Sequence, residues 1–474
     1  MTGLNAMLMT EFAPFIEDFV ADLDAALVAS GTGSRLTNKQ KYWLVFCLMG
    51  MLLTNSLCWA KFERGSLGKY KATALSWLFR KAAIAWGCLL SASVSQVLFR
   101  HGISEGVLVV DESDRPRSKR TARIHKVYKQ KHKPSGGYVN GQTVVVLLLV
   151  SGSATFPAGA AFYMPDPALK AWDKDDKRLK AAGVAKADRP AKPARDAAYP
   201  TKAQVALGLL AGFRQAHGGV KVKAVLADAL YGSTDFMDTA THIFGGVQVV
   251  SQLHCNQNIT YKGKSRTLDT YFNTINPGVA VAMKVRGGKD IRVTATGARL
   301  KVDAHGTKRF VVALKYEGET NYRYLVATDM TWRTLDILQT YSLRWLVEVF
   351  FEDWKLYEGW GREAKQLDEE GSSRGLILSL LFDHCLLLHP EQTARLKNQL
   401  PAYTVGSLQR KSQMDVLLSF IKRALEHPDP SAMLSGLARM VGDVFKLMPS
   451  EKHLSGRDLG RMEPTPSLKY RATG

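Results

Sequence analysis

Tyr341, Arg344, Glu348 and Lys355 follow one another at steps of three, four and seven residues. On a helix turning about 100° per residue, Arg344 falls at about −60°, Glu348 at about −20° and Lys355 at about −40° relative to Tyr341. One face about 60° wide then carries an aromatic ring, two cations and a carboxylate. Leu343, Leu346, Val347, Phe350, Phe351 and Trp354 take the opposite side, which suits burial against a sheet. Glu348 and Lys355 are not an i,i+4 pair, so mutual pairing on a solvated surface does not explain the pattern. Two further carboxylates follow strand-like runs: Asp111 after Val107 to Val110, and Asp228 after Val220 to Ala227. Functional residues gather at the carboxyl ends of strands in open α/β sheets. Three carboxylates suit hard divalent cations, and two such ions about 4 Å apart can hold the attacking and leaving oxygens of an in-line phosphoryl transfer.

The elements that must position these groups read as a mixed α/β sheet between helical ends. Val107 to Val110, Gln142 to Val150 and Thr155 to Tyr163 predict three neighbouring antiparallel strands, the first closed by Asp111. A helix over 201–217, a strand over 220–227, a helix over 233–244 and a strand over 247–251 follow. Segment 166–200 is rich in Lys, Asp, Ala and Pro and predicts an exposed insertion or mobile loop. Residues 252–330 hold repeated strand-like runs and predict a β-rich insertion. Strand alternation turns Glu112 away from the face of Asp111.

Lys and Arg outnumber Asp and Glu by 64 to 43, a formal charge of +21. That excess suits a polyanionic partner, since each phosphate neutralised by Lys or Arg releases counterions. Two stretches concentrate it: ten Lys or Arg against Glu63 alone between Arg35 and Arg100, and nine Lys or Arg from Arg115 to Lys133, directly after Asp111. The first predicts a helical DNA-end reader, the second a border of a DNA channel. The five cysteines form no C-x-x-C pair, which fits reduced thiols in a cytosolic protein. Acidic residues stand where a basic signal-peptide region would be needed, and the most apolar run, Trp43 to Ala60, is marginal for a span. The expectation is therefore a cytoplasmic, nucleoid-associated bacterial protein with no membrane partner.

The Tyr341, Arg344, Glu348 and Lys355 stretch resembles the Y-(2)-R-(3)-E-(6)-K signature of bacterial insertion-sequence DDE transposases, specifically the IS-four-like branch. At ordinary residue usage a match at all four positions has a chance on the order of 10⁻⁵ at any one place. Leu226 to Gly232 and Val109 to Ser113 are similar to that family's two aspartate regions, although Asp111 is followed by Glu112-Ser113 where many members have a different neighbour. The resemblance covers about residues 105–390. It implies a ribonuclease H-like mixed-sheet core interrupted by the β-rich insertion and flanked by helical N- and C-terminal regions. It also implies that Asp111, Asp228 and Glu348 hold two Mg²⁺ or Mn²⁺ ions per active site, and that Tyr341, Arg344 and Lys355 grip phosphates near the transposon end. By the same analogy Tyr324, and after it Trp332, are candidates for an aromatic platform under a flipped base.

The resulting division is a helical N-terminal domain at 1–105 for end binding and a catalytic core at 106–251 and 331–390, the second part carrying Glu348. The β-rich insertion takes 252–330, and a helical C-terminal region at 391–474 serves dimerisation. The partners implied are double-stranded transposon ends, target DNA and a second copy of the chain in the end complex. The leading function is cut-and-paste transposition by metal-dependent end cleavage and strand transfer. Two alternatives stay open: a catalytically silent, transposase-derived DNA-binding protein, and a ribonuclease H-like nuclease without strand transfer.

Overall fold

Side chains alternate across a strand, so a strand buried on both faces must be apolar at every position. The run Val144 to Val150 meets that requirement, and every residue of it is buried in a computed structural model that describes residues 9, 12–31, 33–117, 120–132, 137–285, 290–361 and 368–444. Twelve strands form one sheet: β1 (Glu105–Pro116), β2 (Tyr128–His132), β3 (Gly137–Val150), β4 (Thr155–Tyr163), β5 (Lys221–Ala227), β6 (Gln248–Leu253), β7 (Asn258–Tyr261), β8 (Lys264–Thr267), β9 (Val279–Lys284), β10 (Asp290–Val302), β11 (Thr307–Tyr316) and β12 (Arg323–Ala327). Their order is β2-β3-β1-β5-β6-β12-β11-β10-β7-β8, with β4 on the same edge of β3 as β2 and β9 beside β10. β1, β3 and β4 pair antiparallel, whereas β5 and β6 run parallel to β1.

Among the described residues there are fifteen α-helices. Before β1 come α1 (Pro14–Ala29), α2 (Asn38–Thr54), α3 (Trp59–Gly65), α4 (Ala72–Lys81) and α5 (Trp86–Arg100). Between strands lie α6 (Pro167–Ala181), α7 (Lys202–Ala216), α8 (Thr234–Ile243) and α9 (Leu268–Thr274). After β12 come α10 (Thr334–Ser342), α11 (Leu346–Leu356), α12 (Glu369–Leu387), α13 (Pro390–Lys397), α14 (Val405–Glu426) and α15 (Pro430–Val444). Helix α7 begins where the sequence asks it to: the Thr201 side chain accepts from the Gln204 backbone and Gln204 answers to the Thr201 backbone, a reciprocal cap.

Period-two alternation divides the core. Leu108, Val110, Val145, Leu147, Val225 and Ala227 face α5, α7 and α8. Val107, Val109, Val146, Leu148, Ala224 and Leu226 face α10, α11 and the start of α12. A third cluster joins α1 to α5 with α12, α14 and α15, so the helices at the two ends of the chain share one core. No single described helix is long and apolar enough to cross a membrane.

Several expectations need correction. β1 does not stop at Asp111 but runs on to Pro116, because residues 112–116 find partners on β3. Segment 166–200 is not a bare loop: Asp166 accepts from the Ala168 and Leu169 backbones and caps the fifteen-residue α6. The strands of segment 252–330 continue the same sheet, β12 pairing with β6, and α9 sits among them. β2 lies inside the basic Arg115–Lys133 run; Ser118, Lys119 and Lys133 of that run fall outside the described residues, as does 445–474.

His384 ties three of these elements together. Its Nε2 lies 2.8 Å from the Pro157 carbonyl on β4, which can only accept, so Nε2 carries the proton and Nδ1 accepts the Ser93 hydroxyl of α5 at 2.7 Å. Burial pushes His384 down to about 4, against the opposing pull of the Pro157 carbonyl. The folded state therefore keeps the ring neutral at pH values where the unfolded chain, near 6.5, protonates it. Above pH 6.5 the contribution is complete, and it is lost as pH falls from 6.5 towards 4. We expect the stability gap between wild type and His384→Gln to narrow by on the order of 1 kcal/mol per pH unit over that range, measured by urea denaturation. A gap that stays constant from pH 7.5 to pH 4.5 contradicts this assignment.

Candidate functional site

The pairing of β1 with β5 places Val110 beside Ala227, so the next residues, Asp111 and Asp228, are neighbours. Asp111 shares the face of Val107 and Val109, and Asp228 that of Ala224 and Leu226; both aspartates therefore point towards α10 and α11. Glu112 turns to the other face, as alternation requires, where it accepts from Lys202 Nζ at 2.6 Å and the Tyr231 hydroxyl at 2.8 Å. That division separates the two adjacent acids: Glu112 is consumed by a structural network, and Asp111 is left to the site.

The Tyr341 to Lys355 stretch does not form one uninterrupted α-helix. Helix α10 ends at Ser342, a tighter 3₁₀ turn covers Leu343–Trp345, and α11 starts at Leu346. Arg344 thus sits in the turn, and its Nη1 lies 2.6 Å from Asp111 Oδ2 and 4.0 Å from Glu348 Oε1. The buried side of α11 follows the expectation: Val347, Phe350, Phe351 and Trp354 enter the core, and Trp354 stacks on Trp360 at 4.6 Å between ring centres. Tyr341 departs from it. Its ring is buried and its hydroxyl donates to the Ala227 carbonyl at 3.1 Å, bracing the residue before Asp228.

Asp111 is 7% exposed, and burial pushes its carboxyl up to about 7. Arg344 and the Glu112 backbone N–H, 2.8 Å from Oδ1, pull it down, while Asp228 and Glu112 add repulsion. Asp228 is half-buried, and its Oδ1 accepts from the Leu230 backbone at 2.9 Å, which caps the turn at Ala229–Tyr231. Its carbonyl accepts from the Ser251 hydroxyl at 2.5 Å. Glu348 is the most open of the three, with its side chain 48% exposed. Lys355 lies farther along α11. Burial, and then the cation of Arg115, hold its ammonium below the usual lysine range, while Glu348 and Asp114 pull it back up. Arg115 donates to the Gly361 carbonyl at 2.6 Å, and a Cβ at position 361 would collide with its guanidinium, so the glycine there makes room for the cation.

The two aromatic candidates separate. Tyr324 is only 2% exposed in β12; its hydroxyl reaches Asp269 at 3.3 Å and its ring packs 5.7 Å from Phe272. Burial leaves no ring face for a base, which corrects the expectation of a stacking platform there. Trp332 is half-buried in the turn after β12. The sequence reading left Trp345 unassigned, yet it stands 65% exposed directly after Arg344. At about 100° per residue Trp345 falls about 40° from Tyr341, beside the polar face, and its exposed indole has a π-face free to stack.

Among the described residues no group of three or more His, Cys, Asp or Glu is drawn together closely enough to hold a metal ion. The donor chemistry nonetheless suits a hard cation: carboxylate oxygens from Asp111 and Asp228 side by side, with Glu348 joined to Asp111 through Arg344. The Arg344 guanidinium takes the counter-ion's place on Asp111.

Residues 36–267 match the family model described as "DDE superfamily endonuclease". The match supports a DDE transposase-type family and, with it, transposase or nuclease activity on DNA. It includes Asp111 and Asp228 and ends before Glu348. No curated protein matches the chain.

Removing Arg344 leaves the Asp111 carboxyl buried without its cation. With both groups partly screened by solvent, we expect Arg344→Ala to lose about 2 kcal/mol of stability in EDTA, measured by urea denaturation at neutral pH. A loss below a few tenths of a kcal/mol would show that the contact is incidental.

Proposed function

We propose that this protein is a cut-and-paste DNA transposase that cleaves transposon ends and joins them to target DNA, with Asp111, Asp228 and Glu348 as its catalytic carboxylates. The observation that carries the reading is the arrangement of two adjacent strand aspartates under the helix of Glu348, with Arg344 spanning Asp111 and Glu348. The strand order β4-β3-β1-β5-β6, antiparallel on one side of β1 and parallel on the other, supports a ribonuclease H-like core. The family match over the two aspartates supports the same chemistry.

In this reading the three carboxylates hold two Mg²⁺ or Mn²⁺ ions, which supply charge stabilisation for in-line displacement at phosphorus. Water attacks the phosphate at the element's end and frees a 3′-hydroxyl, which then attacks a phosphate of the target strand and expels its 3′-oxygen. The chain's own part is positioning. Arg344 exchanges Asp111 for phosphate oxygens, which its planar fork matches. Lys355 supplies a point charge one and a half to two turns beyond Glu348, and Tyr341 holds the Ala227–Asp228 backbone in place. Trp332 stays a candidate for contact with an unstacked base.

The test is cleavage of a duplex carrying the element's own end, in Mg²⁺, in Mn²⁺ and in EDTA. We expect metal-dependent cutting by wild type. In Glu348→Gln and Asp228→Asn it should fall at least 10³-fold while end binding persists, since single preorganised electrostatic groups are worth about 10²–10³ and these two act on the metal set itself. Retained cleavage by either variant sinks the site assignment. Binding without cutting in every condition favours the silent DNA-binding protein. Because the matched family is described as an endonuclease, a second readout is needed: capture of a labelled 3′ end into plasmid separates transposition from plain nuclease action.

A dimer belongs to the same reading. Met414, Leu418 and Leu425 are each more than half exposed and fall within about 40° of arc on α14, an apolar stripe that suits a second copy. We expect wild type to sediment as a dimer at micromolar concentration and Leu418→Glu/Leu425→Glu to sediment as a monomer. A wild-type monomer with end DNA bound contradicts the dimer.

A further inference from the structure

The segment expected as a loop builds a cationic surface that the catalytic site does not use. Taking Lys170 as zero on α6, Lys177 falls at about −20° and Lys174 at about 40°, so three exposed lysines share one stripe. The opposite side of the helix is closed by its own return segment. Trp172 Nε1 donates to the Pro190 carbonyl at 2.8 Å, Lys192 lies 5.8 Å over the Trp172 ring, and Arg189 pairs with Asp176 at 2.8 Å. Asp175 and Asp176 are thus neutralised locally; Asp173 flanks the stripe at about −60°, yet none of the three lysines has an ion pair among the described residues.

The stripe meets β2. Lys170 Nζ donates to the Lys129 carbonyl at 2.9 Å and lies 5.1 Å over the Tyr128 ring. Lys129 and Lys131 are exposed and share one face of the strand, Gln130 being buried on the other. Five exposed lysines therefore lie on two elements that meet at Lys170, and none has an ion-paired carboxylate among the described residues. The crowding is felt: burial, and then Lys129, hold the Lys170 ammonium below its usual range. Edge strands commonly carry lysine to block pairing with another chain, but that role needs no matching cations on a neighbouring helix. Gathering like charges costs energy, and a polyanion laid across them removes it.

We propose that α6 and β2 form a track for the phosphate backbone of duplex DNA running away from the carboxylate site. β2 is separated from β1 by β3, and Tyr128 to His132 begin level with Arg115 to Pro116, four to five residues beyond Asp111. Two strand spacings and six to eight residues of rise put Lys129 and Lys131 about 22–28 Å from Asp111, the length of about six to eight base pairs. A duplex with its scissile phosphate at Asp111 reaches these lysines within about one helical turn. This inference rests on the transposase reading for the position of the scissile phosphate, but the binding itself is measured without any cleavage.

The experiment is fluorescence anisotropy of the full chain on a 30-base-pair duplex of arbitrary sequence between 50 and 200 mM salt. Each phosphate contact contributes about 0.9 to the slope of log affinity against log salt. Lys131→Gln/Lys174→Gln/Lys177→Gln should lower that slope by about 2.7, so that wild type loses roughly 40-fold more affinity than the variant across the range. The matching triple Lys→Arg variant should keep the slope, as should Lys397→Gln/Lys422→Gln on the C-terminal helices. An unchanged slope in the triple Gln variant, or an equal drop in the C-terminal control, overturns the track. Asp228→Asn should bind with the wild-type slope. If the track result holds and wild type never cuts, the transposase reading fails alone; if wild type cuts and the slope is unmoved, the track fails alone.

Discussion

The parallel register of β1 on β5 is the constraint on which the site depends. It sets Val110 against Ala227 and so brings together two carboxylates that lie more than a hundred positions apart. A slip of one residue would turn one aspartate to the opposite face of the sheet and exchange it for an apolar side chain. The register is held by burial on both faces: each residue of β1 from Val107 to Val110 enters one of two apolar cores, so no neighbouring register is compatible with the same packing. Burying an acid in such a setting is costly: burial raises the Asp111 carboxyl to about 7, and the neighbouring Asp228 adds a smaller repulsion.

The cost is offset locally by cations placed according to face. On the α11 side Arg344 meets Asp111, and Arg115 leans on Gly361 near Lys355. On the α7 side Lys202 and the Tyr231 hydroxyl satisfy Glu112. Adjacent acids in one strand are thereby given unlike surroundings, and only one of them remains open to exchange its partner. Arg344 thereby neutralises the carboxylate that faces α11, as Lys202 does the one that faces α7.

The helices explain how Glu348 reaches this point. Trp354 donates to Ser379 on α12 and stacks on Trp360, which locks α11 against α12. Helix α12 in turn is packed into the core shared with α1 to α5 and bonded through His384 to β4 and α5. The position of a single carboxylate is therefore fixed by contacts that extend from the first described helix to α12 and α15.

Much of this was legible in the residue pattern. β-branched runs marked β1, β3, β4, β5 and β6, because strands buried on both faces leave few polar positions. The identities and spacing of Tyr341, Arg344, Glu348 and Lys355 marked the chemistry. Other features were decided only by tertiary contact. β1 runs past Asp111 because β3 offers partners; Tyr324 is lost to the core because Phe272 and Asp269 receive it. The 3₁₀ turn that holds Arg344 beside Asp111 has no glycine or proline to announce it. A polar, lysine-rich segment reads as a loop because its helix buries almost nothing; α6 exists because Asp166 caps it and its return segment covers one side. Local pattern determines which residues can be buried and which can do chemistry. Which of them meet is settled by long-range pairing, whose partners lie too far along the chain for any local pattern to specify.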